Sequence, residues 1–358
     1  MDLTVPDRQT ELKKSPIDMT PFPLTQVSLN RKLKFSQLMI FDFVLKTGSF
    51  VGAANSMGVT QPSVTKTIHE LEVFFGTSLF QRSNRGAVPT EFATMLGRHA
   101  KGLLADARHL TDEVNSFRTG EAGSVIVGTL IAGAAKLLPL AISRFRSEYP
   151  NVSLVIREGT SASLFPAVSL GEVDIVVGRL PEKGIPLAKS FSLTHEVLVN
   201  ETFCFVVGNH HRLAGKRNVQ LKDLISDEWI LPLKESPFST SVEKLFHDSG
   251  LKLPSRHIRS LSLMTNVGLL METDMVALLP RAAALQFANR SLLTVLELSA
   301  SVDFGPVGYS VRADKALQPA CLKFIQCLRE ISGRLAEGGL STGPHSSRTP
   351  AALSPAIA

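Results

Sequence analysis

The sequence predicts a multi-domain α/β protein with a small helical head, one long helix, and a larger domain of alternating strands and helices. Three observations predict it. Apolar residues between 33 and 71 recur at helical spacing and are broken by glycines suited to tight turns. From Glu91 to about Arg118 no proline interrupts a stripe of apolar residues. From Ser124 onward, short β-branched runs alternate with amphipathic helical stretches.

At 358 residues the chain suits two or three domains, and 44% hydrophobic content supplies real cores and argues against disorder. The net charge of +6 permits a nucleic acid or an anionic ligand without selecting either. Cys204, Cys321 and Cys327 form no CxxC pair and no even framework. Neither a disulfide scaffold nor a zinc site is expected, no cofactor is implied, and a reducing cytoplasm fits. Residues 1–30 are rich in Pro, Thr and charge and read as a flexible extension, with Met19 an alternative start. They lack the long apolar core of a secretory signal, and no apolar run is long enough to cross a membrane. The end, 334–358, turns to Gly, Ser, Pro and Ala and reads as a disordered tail.

In the head, 31–91, Phe35, Leu38, Phe41, Val44 and Leu45 predict a first helix that Gly48 ends. Ser49 caps a short second helix whose Ala53 and Ala54 allow close approach of a neighbour. Gly58 permits a tight turn. Thr60 caps a third helix with Pro62 in its first turn and one apolar face of Val64, Ile68 and Leu71. This is a helix-turn-helix order. Two extended pieces between Ser78 and Pro89 flank a polar, Gly-containing tip, which predicts a hairpin or wing. Thr90 then caps the long helix, 92–119. Its Leu96, Leu103 and Leu110 recur at heptad spacing, so it either packs on its own domain or, as its length favours, dimerises.

In the domain 124–333, strands are expected at Ser124–Leu130, Val152–Glu158, Asp174–Gly178, Phe203–Val207, Trp229–Leu231, Met275–Leu279 and Pro306–Val311. Helices are expected between them and over Pro319–Arg334. The strands should be mostly parallel, with a ligand crevice off their carboxyl ends. No G-x-S-x-G elbow, phosphate loop or H-E-x-x-H is present, so no enzyme is expected. The adjacent His210 and His211 lack further ligands at metal spacing and read as a loop.

Gly48-Ser49-Phe50, Ala53-Ala54, Val59-Thr60-Gln61-Pro62-Ser63-Val64-Thr65, Ile68-x-x-Leu71-Glu72 and Leu79-Phe80-Gln81-Arg82 together closely resemble the amino-terminal signature of LysR-type transcriptional regulators. Leu137-Leu138-Pro139, Phe145-x-x-Glu148-Tyr149-Pro150, Gly171-Glu172-Val173-Asp174 and His211-Arg212-Leu213-Ala214 extend the resemblance to about residue 333, with Arg212 replacing the family's proline. The resemblance implies a winged helix-turn-helix and a two-lobed domain like that of periplasmic binding proteins, with crossovers near Val199 and Leu298–Pro306. It also implies a double-stranded DNA operator, a small-molecule effector, a homodimer assembling into a tetramer, and RNA polymerase as a partner. Val177-Gly178-Arg179-Leu180-Pro181, Trp229-Ile230-Leu231-Pro232 and Ser236-Pro237 are similar to those of regulators of aromatic-acid and sugar-binding-protein genes, which favours a catabolic role. The alternatives are a solute-binding protein, which would need an export signal, and a DNA-binding protein without effector control.

Gln61, Ser63, Thr65 and Lys66 fall on the first turns of the third helix, where side chains reach base edges or phosphates. Arg82 and Arg85 on the wing have the charge and reach for phosphate or minor-groove contacts. For an anionic effector the expected contacts are Thr129 and Ile131 after the first strand and Thr160 and Ser161 after the second. Ser236 and Phe238 at a helix start, and Met264 opening another helix, complete the set. Family members often place a serine or threonine where Ile131 stands. Thr160 and Ser161 serve equally well as helix caps, and Arg179 reads as a surface residue.

Overall fold

The structure is a computed structural model, describing residues 24–83, 86–119, 123–130, 135–181, 192–298, 302–313 and 315–337. The chain divides into two compact units, one up to Leu104 and one from Ala105.

The first unit contains α1 (Gln26–Lys32), α2 (Phe35–Thr47), α3 (Phe50–Met57), α4 (Gln61–Phe75), the hairpin β1 (Phe80–Ser83) and β2 (Gly86–Pro89), and the start of α5 (Glu91–Thr119). α1 corrects the expectation that residues up to 30 are all extension. Thr25 and Ser28 form a reciprocal capping box that starts this helix. Residues 1–23 lie outside the described residues.

Leu38, Phe41, Ala53, Ala54, Ile68, Leu71 and Leu79 form the core of this unit, and Phe80 meets both Phe41 and Phe50 at 5.8 Å. The amino half of α5 also belongs to it through buried Ala93 and Ala100, with Phe92 and Leu96 half-buried alongside. Leu96 thus leaves the expected dimer stripe. Leu103, Leu110 and Val114 remain about half exposed.

Gly86 decides how the wing seats. It sits at φ +109°, and a Cβ there would stand 2.5 Å from the carbonyl oxygen of Gly48, which already accepts Ala87 N–H at 2.8 Å. Gly86→Ala is therefore expected to cost roughly 1–3 kcal/mol through backbone strain. Thermal unfolding of the variant, alongside its DNA affinity, checks this; an unchanged midpoint would remove the steric argument.

The second unit holds a nine-stranded mixed sheet. Its strands are β3 (Ser124–Thr129), β4 (Ser153–Glu158), β5 (Ile175–Arg179), β6 (Leu193–Gly208), β7 (Trp229–Leu231), β8 (His257–Arg259), β9 (Val276–Pro280), β10 (Leu293–Leu296) and β11 (Val302–Arg312). Its helices are the end of α5, then α6 (Leu137–Glu148), α7 (Ser161–Ser169), α8 (Pro237–Asp248), α9 (Leu263–Glu272), α10 (Arg281–Ala288) and α11 (Pro319–Glu337), with a 3-10 turn at Leu221–Leu224. The last turn of α11 takes in residues 334–337 of the expected tail.

The order β4-β3-β5-β11-β6-β9-β7-β8 puts two parallel groups either side of β11 and β6, which run antiparallel to each other and to their neighbours. The sheet is therefore mixed, not mostly parallel. The reason is the crossovers: β6 is 16 residues long, pairs with β11 from Leu193 to Phe203, and from Phe203 onward pairs with β9. β11 returns the chain to β5.

The first lobe is built from both sides of these crossovers. Phe324, Ile325 and Leu328 of α11 pack with Val125, Phe145 and Ile175 under its strands. Leu164, Phe165 and Val168 of α7 cover the opposite face. In the second lobe Trp229 is fully buried, edge-on to Phe205 and Phe246, and its indole N–H donates to the Leu224 carbonyl at 2.8 Å. Arg329 of α11 grips Glu196 with two hydrogen bonds of 2.6–2.7 Å, and Tyr309 donates to the same carboxylate. Burial and that carboxylate push the Tyr309 phenol up to about 12.

Candidate functional site

The head presents the amino end of α4. Gly58, in the left-handed region, closes α3, and Val59 N–H bonds back to the Ala54 carbonyl at 3.1 Å, which makes the turn tight. Ala53 and Ala54 are buried where α3 packs with α2 and α4, so larger side chains there would force the helices apart. Val64, Ile68 and Leu71 hold the inner face of α4. Gln61, Ser63 and Lys66 are consequently exposed on its first turns, with Thr65 half-buried. The Gln61 amide donates to Thr65 Oγ1 at 3.0 Å, and Ser63 Oγ lies 2.9 Å from Thr60 Oγ1. This exposed row of hydroxyl, amide and ammonium groups at a helix start suits a major groove.

Glu72 was quoted in the sequence only as a motif letter. Its Oε1 accepts Leu79 N–H at 2.8 Å and Phe80 N–H at 3.4 Å, pinning the wing to α4. Arg82 lies in β1 opposite Ala87. Arg85 lies outside the described residues, as does Ile131.

In the second unit a cavity of about 50 Å³ opens beyond the carboxyl ends of β7, β8 and β9. Phe203, Leu231, Pro232, Phe238, Leu263 and Asn266 contribute to its wall, and no charged side chain lines it among the described residues. Phe238 meets Phe203 edge-on at 5.3 Å, while Arg179, from the end of β5 in the first lobe, lies 5.2 Å from the centre of the Phe238 ring. Gly305, at φ +94°, leaves room for that guanidinium, since a Cβ there would come within 3.3 Å of Arg179 Nε. Arg179 thus joins the two lobes, whereas the sequence read it as surface.

The expected effector residues divide. Phe238 lines the cavity. Ser236 is buried and caps α8, its hydroxyl accepting Phe238 N–H at 3.3 Å. Thr160 is exposed at the start of α7, where Ser163 Oγ accepts its N–H at 3.0 Å, and Ser161 is half-buried in the first turn. Thr129 is buried and donates to the adjacent Leu130 carbonyl at 3.2 Å. Met264 is 73% exposed and does not line the cavity, while Leu263 and Asn266 of the same helix do.

The helix starts nearby satisfy themselves. Ser262 caps α9, and the Glu201 carboxylate accepts Ala282 N–H at the start of α10 at 3.4 Å. Burial raises the Glu201 pKa, offset in part by the amides of Thr202 and Ala282. A second groove lies between the end of α5 and the start of α11, where Lys315 and Arg312 both engage Asp106. Among the described residues no three metal-ligating side chains converge, and no helix is long and apolar enough to cross a membrane.

Comparison with known proteins agrees with this architecture. Residues 35–94 match the bacterial regulatory helix-turn-helix family of LysR type, and residues 118–332 match the LysR substrate binding domain. The chain is 28% identical to the HTH-type transcriptional regulator GbpR of Azospirillum brasilense, over 88% of this chain and 91% of that one. It is also 28% identical to PcaQ of Agrobacterium fabrum, over 87% and 98% respectively. Among solved structures, CbnR, a LysR family transcriptional regulator, has a TM-score of 0.61 at 20% identity, covering 84% of this chain and 99% of CbnR. A full-length OxyR from Pseudomonas aeruginosa has a TM-score of 0.60 at 21% identity, covering 83% and 97%. These relatives are regulators rather than enzymes. With a helix-turn-helix head and a substrate-binding domain both matched, the chain belongs to the LysR family of DNA-binding transcriptional regulators.

Proposed function

We propose that a small organic ligand held between the two lobes controls how this regulator engages its operator. The carrying observation is the cavity at the carboxyl ends of β7, β8 and β9, with Phe238 in its wall and Arg179 of the other lobe packed on the Phe238 ring. A ligand there changes the contacts across the crevice, and it can shift DNA binding because it prefers one lobe arrangement. The guanidinium of Arg179 on the Phe238 ring brings positive charge near this wall, which suits an organic anion of the kind a catabolic regulator senses.

On the DNA side, α4 enters the major groove through Gln61, Ser63, Thr65 and Lys66, while Arg82 and Arg85 meet phosphates or the minor groove. CbnR has been solved with its target DNA. The exposed stripe of α5 supports a homodimer, and from it a tetramer, working in the cytoplasm beside RNA polymerase.

A mobility shift on the gene's own upstream region, with and without metabolites of the neighbouring operon, tests the reading. Gln61→Ala is expected to relax sequence preference by roughly 1–3 kcal/mol if its contact is bidentate. Lys66→Ala is expected to weaken binding to all sequences and reduce the salt slope by about one. A protein whose DNA binding ignores every metabolite would favour constitutive control instead.

A further inference from the structure

Two polar side chains, Ser260 and Asn266, stand among the cavity's lining residues, and the Ser260 hydroxyl already accepts Ser262 N–H at 3.2 Å, which leaves Asn266. It sits in the apolar helix α9, is only 8% exposed, and its Oδ1 is buried without a hydrogen-bond partner. The helix's own cap does not use it, because Ser262 takes Thr265 N–H. A buried amide left unpaired costs free energy, so a group that completes it gains more than one meeting an exposed amide.

The surroundings restrict that group. The wall carries no charge, so an ionised carboxylate or ammonium would lose its hydration with only a neutral amide and the Ser260 hydroxyl in return. About 50 Å³ is room for a few heavy atoms, well short of the roughly 150 Å³ that encloses a benzene ring. The occupant is therefore a small neutral end of a larger molecule. A hydroxyl fits best, since it both donates and accepts and so completes the amide in either orientation.

We propose that Asn266 is the specificity-determining residue of the cleft: the effector inserts a hydroxyl-bearing end against its amide, with the adjoining carbons on Phe203 and Phe238. This rests on the cleft being the effector site. It makes Asn266 a sensor of hydroxylation, separate from any charge read by Arg179.

The test is titration calorimetry of the full chain with matched pairs, lactate against propionate and 4-hydroxybenzoate against benzoate. The hydroxylated member of at least one pair is expected to bind about tenfold tighter. Asn266→Leu should abolish that preference by weakening binding of the hydroxylated member. Equal binding within both pairs, or a preference that survives in Asn266→Leu, overturns the proposal.

Phe238→Ala separates the two levels of inference. Loss of binding in Phe238→Ala with the preference intact in Asn266→Leu leaves the cleft reading standing and removes Asn266. Binding indifferent to both variants removes the cleft itself. If neither pair binds, the unliganded proteins still decide. An amide kept unpaired for a ligand makes Asn266→Leu melt higher than wild type, whereas an amide satisfied by a trapped water makes it melt at the same temperature or lower, which overturns the proposal.

Discussion

Replacing Asp174 with alanine is expected to cost about 3–5 kcal/mol and to free the carboxyl half of α5 from the ligand-binding unit. The carboxylate is nearly buried, with 7% side-chain exposure, and both oxygens are used. Oδ1 accepts from Arg108 at 2.7 Å and contacts His109 Nε2 at 2.9 Å, while Oδ2 accepts Ile126 N–H at 2.7 Å. Arg108 also donates to the Gly171 carbonyl at 3.1 Å. One side chain therefore ties together α5, the first strand of the domain and the turn before β5. Removing it leaves the Ile126 amide without its acceptor and the partly buried Arg108 guanidinium with only the Gly171 carbonyl. Denaturant unfolding of the full chain should show the loss, and tryptic cleavage after Arg108 should accelerate. Unchanged stability and cleavage would mean the helix is held by something else.

Leu103→Glu is expected to dissociate the dimer and, with it, operator binding. Leu103 is 50% exposed and Leu110 62% on a helix whose preceding apolar residues are already committed to the head's core. A two-fold contact uses each side chain twice, so covering the exposed half of Leu103 in both copies contributes roughly 1.5–3 kcal/mol of apolar burial that the variant loses, before the penalty for burying a charge. Light scattering should report a monomer and the mobility shift a fall in affinity of about a hundredfold or more. A variant that stays dimeric would place the interface elsewhere.

The head was legible because its information is local. Gly48, Ser49, Gly58 and Thr60 act on their own turns, and Val64, Ile68 and Leu71 declare an inner face within one helix. The crossover strand was not. Only Phe203–Val207 was read from the sequence, because Thr194, His195, Glu196, Asn200 and Glu201 look like loop residues. They are strand residues because β11 runs beside them and Ser310 and Arg329 satisfy His195 and Glu196. Thr160 and Ser161 read as anion donors as readily as caps, and Ser236 reads as an anion donor, since a hydroxyl at a helix start carries the same pattern for both. Asp174 was visible as a motif letter, but its partners lie 65 and 66 residues away. Asn266 left one signal, a lone amide in Leu263-Met264-Thr265-Asn266-Val267, that periodicity alone treats as noise.

The placement of α11 has a consequence for how the protein is made. Phe324, Ile325 and Leu328 fill the core beneath β3 and β5, strands synthesised some 150 to 200 residues earlier. On the ribosome the head can fold as soon as it emerges, because its core closes by Ala100. The first lobe must wait, apolar surface open, until nearly the whole chain has been translated. Termination anywhere between Ala100 and Pro319 would thus release a product with an intact DNA reader and no completed lobe to restrain it, and the cell's proteases would meet that open lobe first.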